Sequence, residues 1–141
     1  TVTATGDVSI RADENDVFLY NDLVKAGGKV DIRAEGYLDS EATIDAVGDI
    51  ILYAYEEVYV DGPVTSTTGD IDIYAVKEIE ISADITAVDG TVSMGASTGF
   101  VEIDGAVKAA EDIYVEAGTD VEVTTGGMLV QNEILVRLLD L

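Results

Sequence analysis

One apolar phrase recurs through almost the whole chain, and its spacing leaves few folds open. Gly6 opens Gly-Asp-Val-Ser-Ile-Arg-Ala, Gly28 opens Gly-Lys-Val-Asp-Ile-Arg-Ala, and Gly48 opens Gly-Asp-Ile-Ile-Leu-Tyr-Ala. Gly69, Gly90 and Glu111 open further copies. The first apolar residue of each copy is Val8, Val30, Ile50, Ile71, Val92, Ile113 and Ile134, and subtraction gives steps of 22, 20, 21, 21, 21 and 21. A unit this short cannot bury an apolar face alone. Its neighbours must cover it, which is how a stacked solenoid is built.

Residues 68–88 serve as the reference coil. Ile71 and Ile73 alternate with Asp70, Asp72 and Tyr74, the period of two expected of a half-buried strand. Ala75 ends that strand at an inward corner with no room for a larger side chain. A second strand places Ile79 and Ile81 inward, and a shorter third strand places Ile85 and Ala87 inward. In the other coils the second-strand inward pairs read Val17/Leu19, Val58/Val60, Val101/Ile103 and Val121/Val123. The third-strand inward position reads Leu23, Ile44, Val64, Ile85 and Val107. The corner alanine is Ala12, Ala34, Ala54, Ala75, Ala96 and Ala117, until Leu138 takes its place.

Three short strands per coil, each stacked on its equivalent one coil away, predict an all-β fold. It is a parallel β-helix of roughly six to seven coils, about 21 residues each, wound right-handed as parallel crossovers usually are. The whole of 1–141 reads as one solenoid domain, with an interior of Val, Ile and Ala too narrow for a ligand cavity.

Composition narrows the function. The 29 acidic against 7 basic residues give a formal charge of −22, which argues against nucleic acid, because phosphate binding needs Lys and Arg. Anionic membranes are disfavoured on the same ground, and no apolar run is long enough to span a bilayer, so membrane insertion is not expected. Without cysteine there are no disulfides, thiolate sites or cysteine nucleophiles; without histidine the commonest general base is missing. Carboxylate pairs such as Asp70/Asp72 and Glu78/Glu80 lie on strand faces with no long loop to form a cleft. No catalytic residue is assigned, and the chain reads as non-enzymatic.

The phase of the repeat at the two termini carries a further expectation. Val2-Thr3-Ala4-Thr5-Gly6-Asp7-Val8 matches Ile44–Ile50 position for position, and Glu133–Arg137 repeats a first strand. Both ends therefore fall in mid-coil. Bare solenoid ends expose strand edges and core, so the sequence predicts continuation in a longer solenoid or head-to-tail self-association into filaments. The expected assembly residues are Val2 and Ala4 at one end, and Ile134, Val136, Leu138 and Leu141 at the other. Met128-Leu129-Val130, Ile134-Leu135-Val136, Leu138, Leu139 and Leu141 are more apolar than one coil requires. Residues 129–141 accordingly read as a C-terminal cap or a contact segment between subunits.

Two outward ladders offer candidate sites. The position before each first strand holds Asp7, Lys29, Asp49, Asp70, Thr91, Asp112 and Glu133. Carboxylates stacked one coil apart repel, and calcium relieves such repulsion with oxygen ligands, so Asp49 and Asp70 are the candidate calcium pair. The competing reading is an ordinary acidic residue after a turn, since Lys29 and Thr91 interrupt the ladder. No other cofactor is expected. Tyr53 and Tyr74 share an outward column, with Tyr55 and Tyr59 on the same coil as Tyr53. Exposed tyrosines suit stacking on a glycan or contact with a protein, while stacking on one another would be purely structural.

The Gly-Asp-Ile-x-Ile-x-Ala phrases, each followed by Ile-x-Ile and a small corner residue such as Ala83 or Gly62, resemble the haemagglutinin-type repeats of filamentous-haemagglutinin-like adhesins of bacterial surfaces. The resemblance runs from Val2 to about Val136. It implies an extracellular or cell-surface β-helix shaft without catalytic residues. The Asn-Pro-Asn signature of that family's secretion domain is absent, and the chain is more acidic than the usual shaft. The expected function is that of a structural fibre or adhesin shaft. The alternatives are a carbohydrate- or protein-binding module of the same fold and a bactofilin-like cytoplasmic filament.

Overall fold

A computed structural model describes residues 1–124, 127–130 and 133–139. The chain opens with β1 (Val2–Ala4), β2 (Val8–Ala12), β3 (Val17–Leu19) and β4 (Leu23–Ala26). The next coils bring β5 (Val30–Ala34), β6 (Leu38–Ser40), β7 (Thr43–Ala46), β8 (Ile50–Ala54), β9 (Glu57–Val60) and β10 (Val64–Ser66). They are followed by β11 (Ile71–Ala75), β12 (Glu78–Ile81), β13 (Ile85–Ala87), β14 (Val92–Ala96), β15 (Val101–Ile103) and β16 (Ala106–Ala109). The last are β17 (Asp112–Ala117), β18 (Val121–Val123), β19 (Met128–Val130) and β20 (Glu133–Leu138). Among the described residues there is no helix, and none is long and apolar enough to cross a membrane.

Every strand pairs in parallel with its equivalent one coil away, giving three sheets. The first-strand sheet runs β2-β5-β8-β11-β14-β17-β20, the second β3-β6-β9-β12-β15-β18, and the third β1-β4-β7-β10-β13-β16-β19. The result is a parallel β-solenoid of about six turns, as the repeat predicts. Alternation along each strand decides what is buried: in β11, Ile71 and Ile73 have 0 % exposure while Asp72 and Tyr74 face outward. Each fully buried Ile, Leu or Val of these ladders contributes about 1.5–3 kcal/mol against exposure, so the ladders dominate stability.

The uneven steps of the repeat are absorbed at corners, leaving the ladders in line. Val8, Val30 and Ile50 stay in register although their separations differ. Part of the difference sits between β3 and β4, where Val17 to Val24 takes one residue more than the equivalent Leu38 to Ile44. Asn21 occupies that corner with a φ of 46°, a left-handed conformation that asparagine tolerates better than most residues. The extra residue also corrects the expectation for Leu23. Leu23 pairs with Thr43, an outward position, and Val24 stands in line with Ile44 and is buried. A one-residue slip exchanges the faces of a strand.

Two inward serines interrupt the apolar ladders. Ser66 lies in line with Ala46 and Ala87. Its hydroxyl accepts the Gly69 N–H and lies 2.9 Å from the carbonyl oxygens of both Gly48 and Gly69, so it ties a corner together. Ser40, between Leu19 and Val60, is fully buried with its hydroxyl unpartnered among the described residues, and nothing in the structure explains it.

Candidate functional site

The acidic column outside the first-strand sheet is built into the backbone. At a corner the chain leaves the ladder, and peptide N–H groups lose their strand partners. A carboxylate just before a strand takes over: Asp7 accepts the Lys29 N–H at 2.8 Å, Asp49 the Asp70 N–H at 3.2 Å, and Asp70 the Thr91 N–H at 2.8 Å. The same device recurs outside the other two sheets, where Asp16 accepts the Tyr37 N–H and Asp84 the Ala106 N–H. The sequence signal for those two, an aspartate immediately before a strand, is the same one that picks out Asp49 and Asp70.

The candidate calcium pair is therefore already engaged. The second oxygen of Asp49 meets the Lys29 ammonium at 2.7 Å. That hydrogen bond, and then the one from the Asp70 N–H, hold the Asp49 carboxyl below the usual carboxylate range. Lys29, which interrupts the acidic column, thus pairs with its neighbour Asp49. Among the described residues no three carboxylates are arranged to hold a metal ion together. The opposite shift marks residues with no such partner. Burial, followed by repulsion from Asp70 and Asp49, raises Asp72; burial, then Glu102 and its acidic neighbours, raises Glu80.

The four candidate tyrosines divide between faces. Tyr53 and Tyr74 are in register on β8 and β11, outside the first-strand sheet. The next residue in their column is Gly95, where a Cβ would come within 2.9 Å of the Tyr74 ring carbons; the ring lies across the space that glycine leaves. Tyr55 is exposed at the corner beyond Ala54. Tyr59 belongs to β9 of the second-strand sheet, where its hydroxyl donates to Glu57 and its pKa rises mainly for that reason. A different aromatic pair is stacked: Phe18 and Tyr20, with ring centroids 5.7 Å apart and planes inclined by 7°. They are 50 % and 56 % exposed. Phe18 is on β3 and Tyr20 immediately follows that strand, and their spacing of two is the signal the sequence offers. A shallow cleft between Phe100, Glu102, Asp120 and Glu122 gathers three further carboxylates.

The two ends present the residues expected to support assembly. Val2 and Ala4 lie on β1, the outermost strand of the third sheet, and pair with Val24 and Ala26 on their inner side only. At the other end β20 pairs with β17, placing Ile134 on Ile113, Val136 on Val115 and Leu138 on Ala117. These residues continue the interior ladders, yet Ile134 is 43 %, Val136 46 % and Leu138 53 % exposed. Among the described residues no strand lies beyond β20. Val123, expected inward, is 40 % exposed for the same reason, since β18 is the last strand of its sheet. Leu141 lies outside the described residues.

Fold and ladders together define the class: a parallel β-solenoid, in which every coil repeats one supersecondary unit. Comparison with protein-family models, with curated proteins and with solved structures finds no match for this chain.

Proposed function

We propose that this chain is a non-enzymatic structural element of an extracellular fibre or adhesin shaft, extended end to end through its open solenoid ends. The observation that carries this reading is the unbroken stack of ladders: Val8, Val30, Ile50, Ile71, Val92 and Ile113 stay in register and buried coil after coil, which makes a stiff rod. Resemblance of the repeat phrases to haemagglutinin-type shafts supports the adhesin setting, and the acidic surface keeps an extended rod soluble. Negative-stain microscopy over a concentration series tests the reading. End-to-end assemblies that lengthen with concentration support it, and rods of one solenoid length at every concentration overturn it.

A carbohydrate- or protein-binding module is the second reading, favoured by the exposed Phe18–Tyr20 stack, a flat apolar platform on the outer face. Binding to a glycan array that is lost in Phe18→Ala would establish it, and absence of binding would remove it.

A further inference from the structure

We propose that the outer face of the second-strand sheet is a docking surface for an arginine- or lysine-rich segment of a partner protein, lying along the flank of the rod. The inference goes beyond the structural reading and does not depend on how the solenoid extends.

Register builds the face. One outward column, in line from coil to coil, reads Phe18, Asp39, Tyr59, Glu80, Glu102 and Glu122. Rings and carboxylates alternate along its first four strands, about 4.8 Å apart. Tyr20 stands against Phe18 in a near-parallel stack, and both rings are about half exposed. Glu41 and Asp61 follow β6 and β9 on one side of the column, and Tyr37 precedes β6 on the other. At the far end the cleft of Phe100, Glu102, Asp120 and Glu122, about 220 Å³, again sets one ring among carboxylates.

Charge decides what such a face takes. None of the 7 Lys and Arg residues lies on β3, β6, β9, β12, β15 or β18. Lys77, at the corner before β12, is held by Glu56 at 3.0 Å. Outside the first-strand sheet the acids have cations at hand: Lys29 meets Asp49 and Arg33 meets Asp31, each at 2.7 Å. The carboxylates of the second sheet face one another instead, and Glu80 is raised above the usual range by burial and then by repulsion from Glu102, Glu78, Asp61 and Glu57. An added cation relieves that repulsion, and a guanidinium or ammonium also settles on an exposed ring face. Rings alone would suit a sugar; rings interleaved with carboxylates that lack a cation suit Arg and Lys. A phosphate-bearing ligand is repelled. A second copy is a poor occupant, since it too carries a charge of −22, and only its Lys25 and Lys108 have no ion pair among the described residues.

Fluorescence anisotropy of a labelled octa-arginine peptide, titrated with the 141-residue chain at about 0.15 M salt, tests the proposal, with circular dichroism confirming that each variant is folded. Saturable binding is expected. Glu80→Gln/Glu102→Gln should weaken it about fivefold and Phe18→Ala about threefold, the sizes of exposed ion pairs and of one exposed cation–π contact. Asp72→Asn/Asp89→Asn removes the same charge from β11 and from the corner before β14, and should change affinity by less than about twofold. Absence of binding would overturn the proposal. Equal losses in the two double variants would also overturn it, by showing attraction to the overall charge alone. Glycan binding through Phe18 without peptide binding would overturn the cationic partner and leave the carbohydrate reading standing. Self-association that depends on Glu80 and Glu102, seen by sedimentation equilibrium, would make the occupant a second copy and overturn it as well. None of these results bears on end-to-end extension, which microscopy reads separately.

Discussion

The middle of the rod and its C-terminal end carry the same phrase and treat it differently. In β11 Ile71 and Ile73 are sealed, with Asp72 half-buried between them; in β20 the equivalent Ile134 and Val136 are about as exposed as outward-facing Leu135, at 48 %. Sequence alternation is present in both. Burial in a solenoid needs a coil on each side along the axis as well as the inward turn of the side chain. An inward residue in an outermost coil is therefore only half a core residue.

Substitutions can break or sharpen that contrast, and the largest effect belongs to the ladder itself. Ile73→Ala should cost about 2–5 kcal/mol in urea unfolding, as a buried large-to-small change does. Val136→Ala, measured at a concentration where the chain is monomeric, should stay within about 0.5 kcal/mol. Equal costs would show that the end is covered as thoroughly as the middle. The corner gives the converse test. Ala75→Leu overpacks a closed corner and should cost about 1–3 kcal/mol, whereas Leu138, the natural occupant of the same column, sits there exposed. A tolerated Ala75→Leu would mean that the corners are not closed.

Next in size are the aspartates that hold the corners. Asp70→Ala removes the acceptor of the Thr91 N–H and should lower stability by about 1 kcal/mol, with Asp70→Asn recovering most of it. Calcium should not rescue the alanine variant; a melting temperature of the unaltered chain that climbs with added calcium would support Asp49 and Asp70 as metal ligands.

The smallest expected effect is a shallow dependence on pH. Asp39, Asp72 and Glu80 have folded pKa values raised first by burial and then by acidic neighbours. Their contribution is complete below the ordinary carboxylate values, 3.8 and 4.5, and is lost as pH rises through the raised folded values. Asp49 and Glu56 are lowered, chiefly by hydrogen bonds to Lys29 and Lys77, so their contribution holds above the ordinary range and is lost in stronger acid. Melting temperature should therefore peak in acid, near the ordinary carboxylate values, and decline toward neutrality. Glu80→Gln should flatten the limb between that peak and neutrality. A profile that climbs steadily to neutrality would contradict the sign.

Much of this was legible in the amino acids because a solenoid writes its core once per coil. The columns Val8 to Ile134 and Ala12 to Ala117 follow from counting alone. What counting missed lies at the corners, where no period applies. Leu23 reads as inward because leucine is the larger apolar residue of Leu23-Val24, yet one additional residue in the preceding corner puts Val24 on the core side. The sequence shows the acidic column but not that Asp7, Asp49 and Asp70 each accept a peptide N–H from the next coil, a partner no composition reveals. The shared column of Tyr53 and Tyr74 is legible from the repeat, whereas Tyr59, a member of the same coil as Tyr53, lies beyond the corner at Tyr55 on a different sheet.

The corner at Asn21 has a consequence for how such a rod changes over time. Registers hold although coils differ in length, so a residue gained between β3 and β4 alters neither the ladders above nor those below. Strands are the fixed gauge of this molecule, and corners are its slack. Insertions accumulating at corners would decorate the surface freely while the shaft beneath kept its pitch, letting one scaffold present many different exteriors.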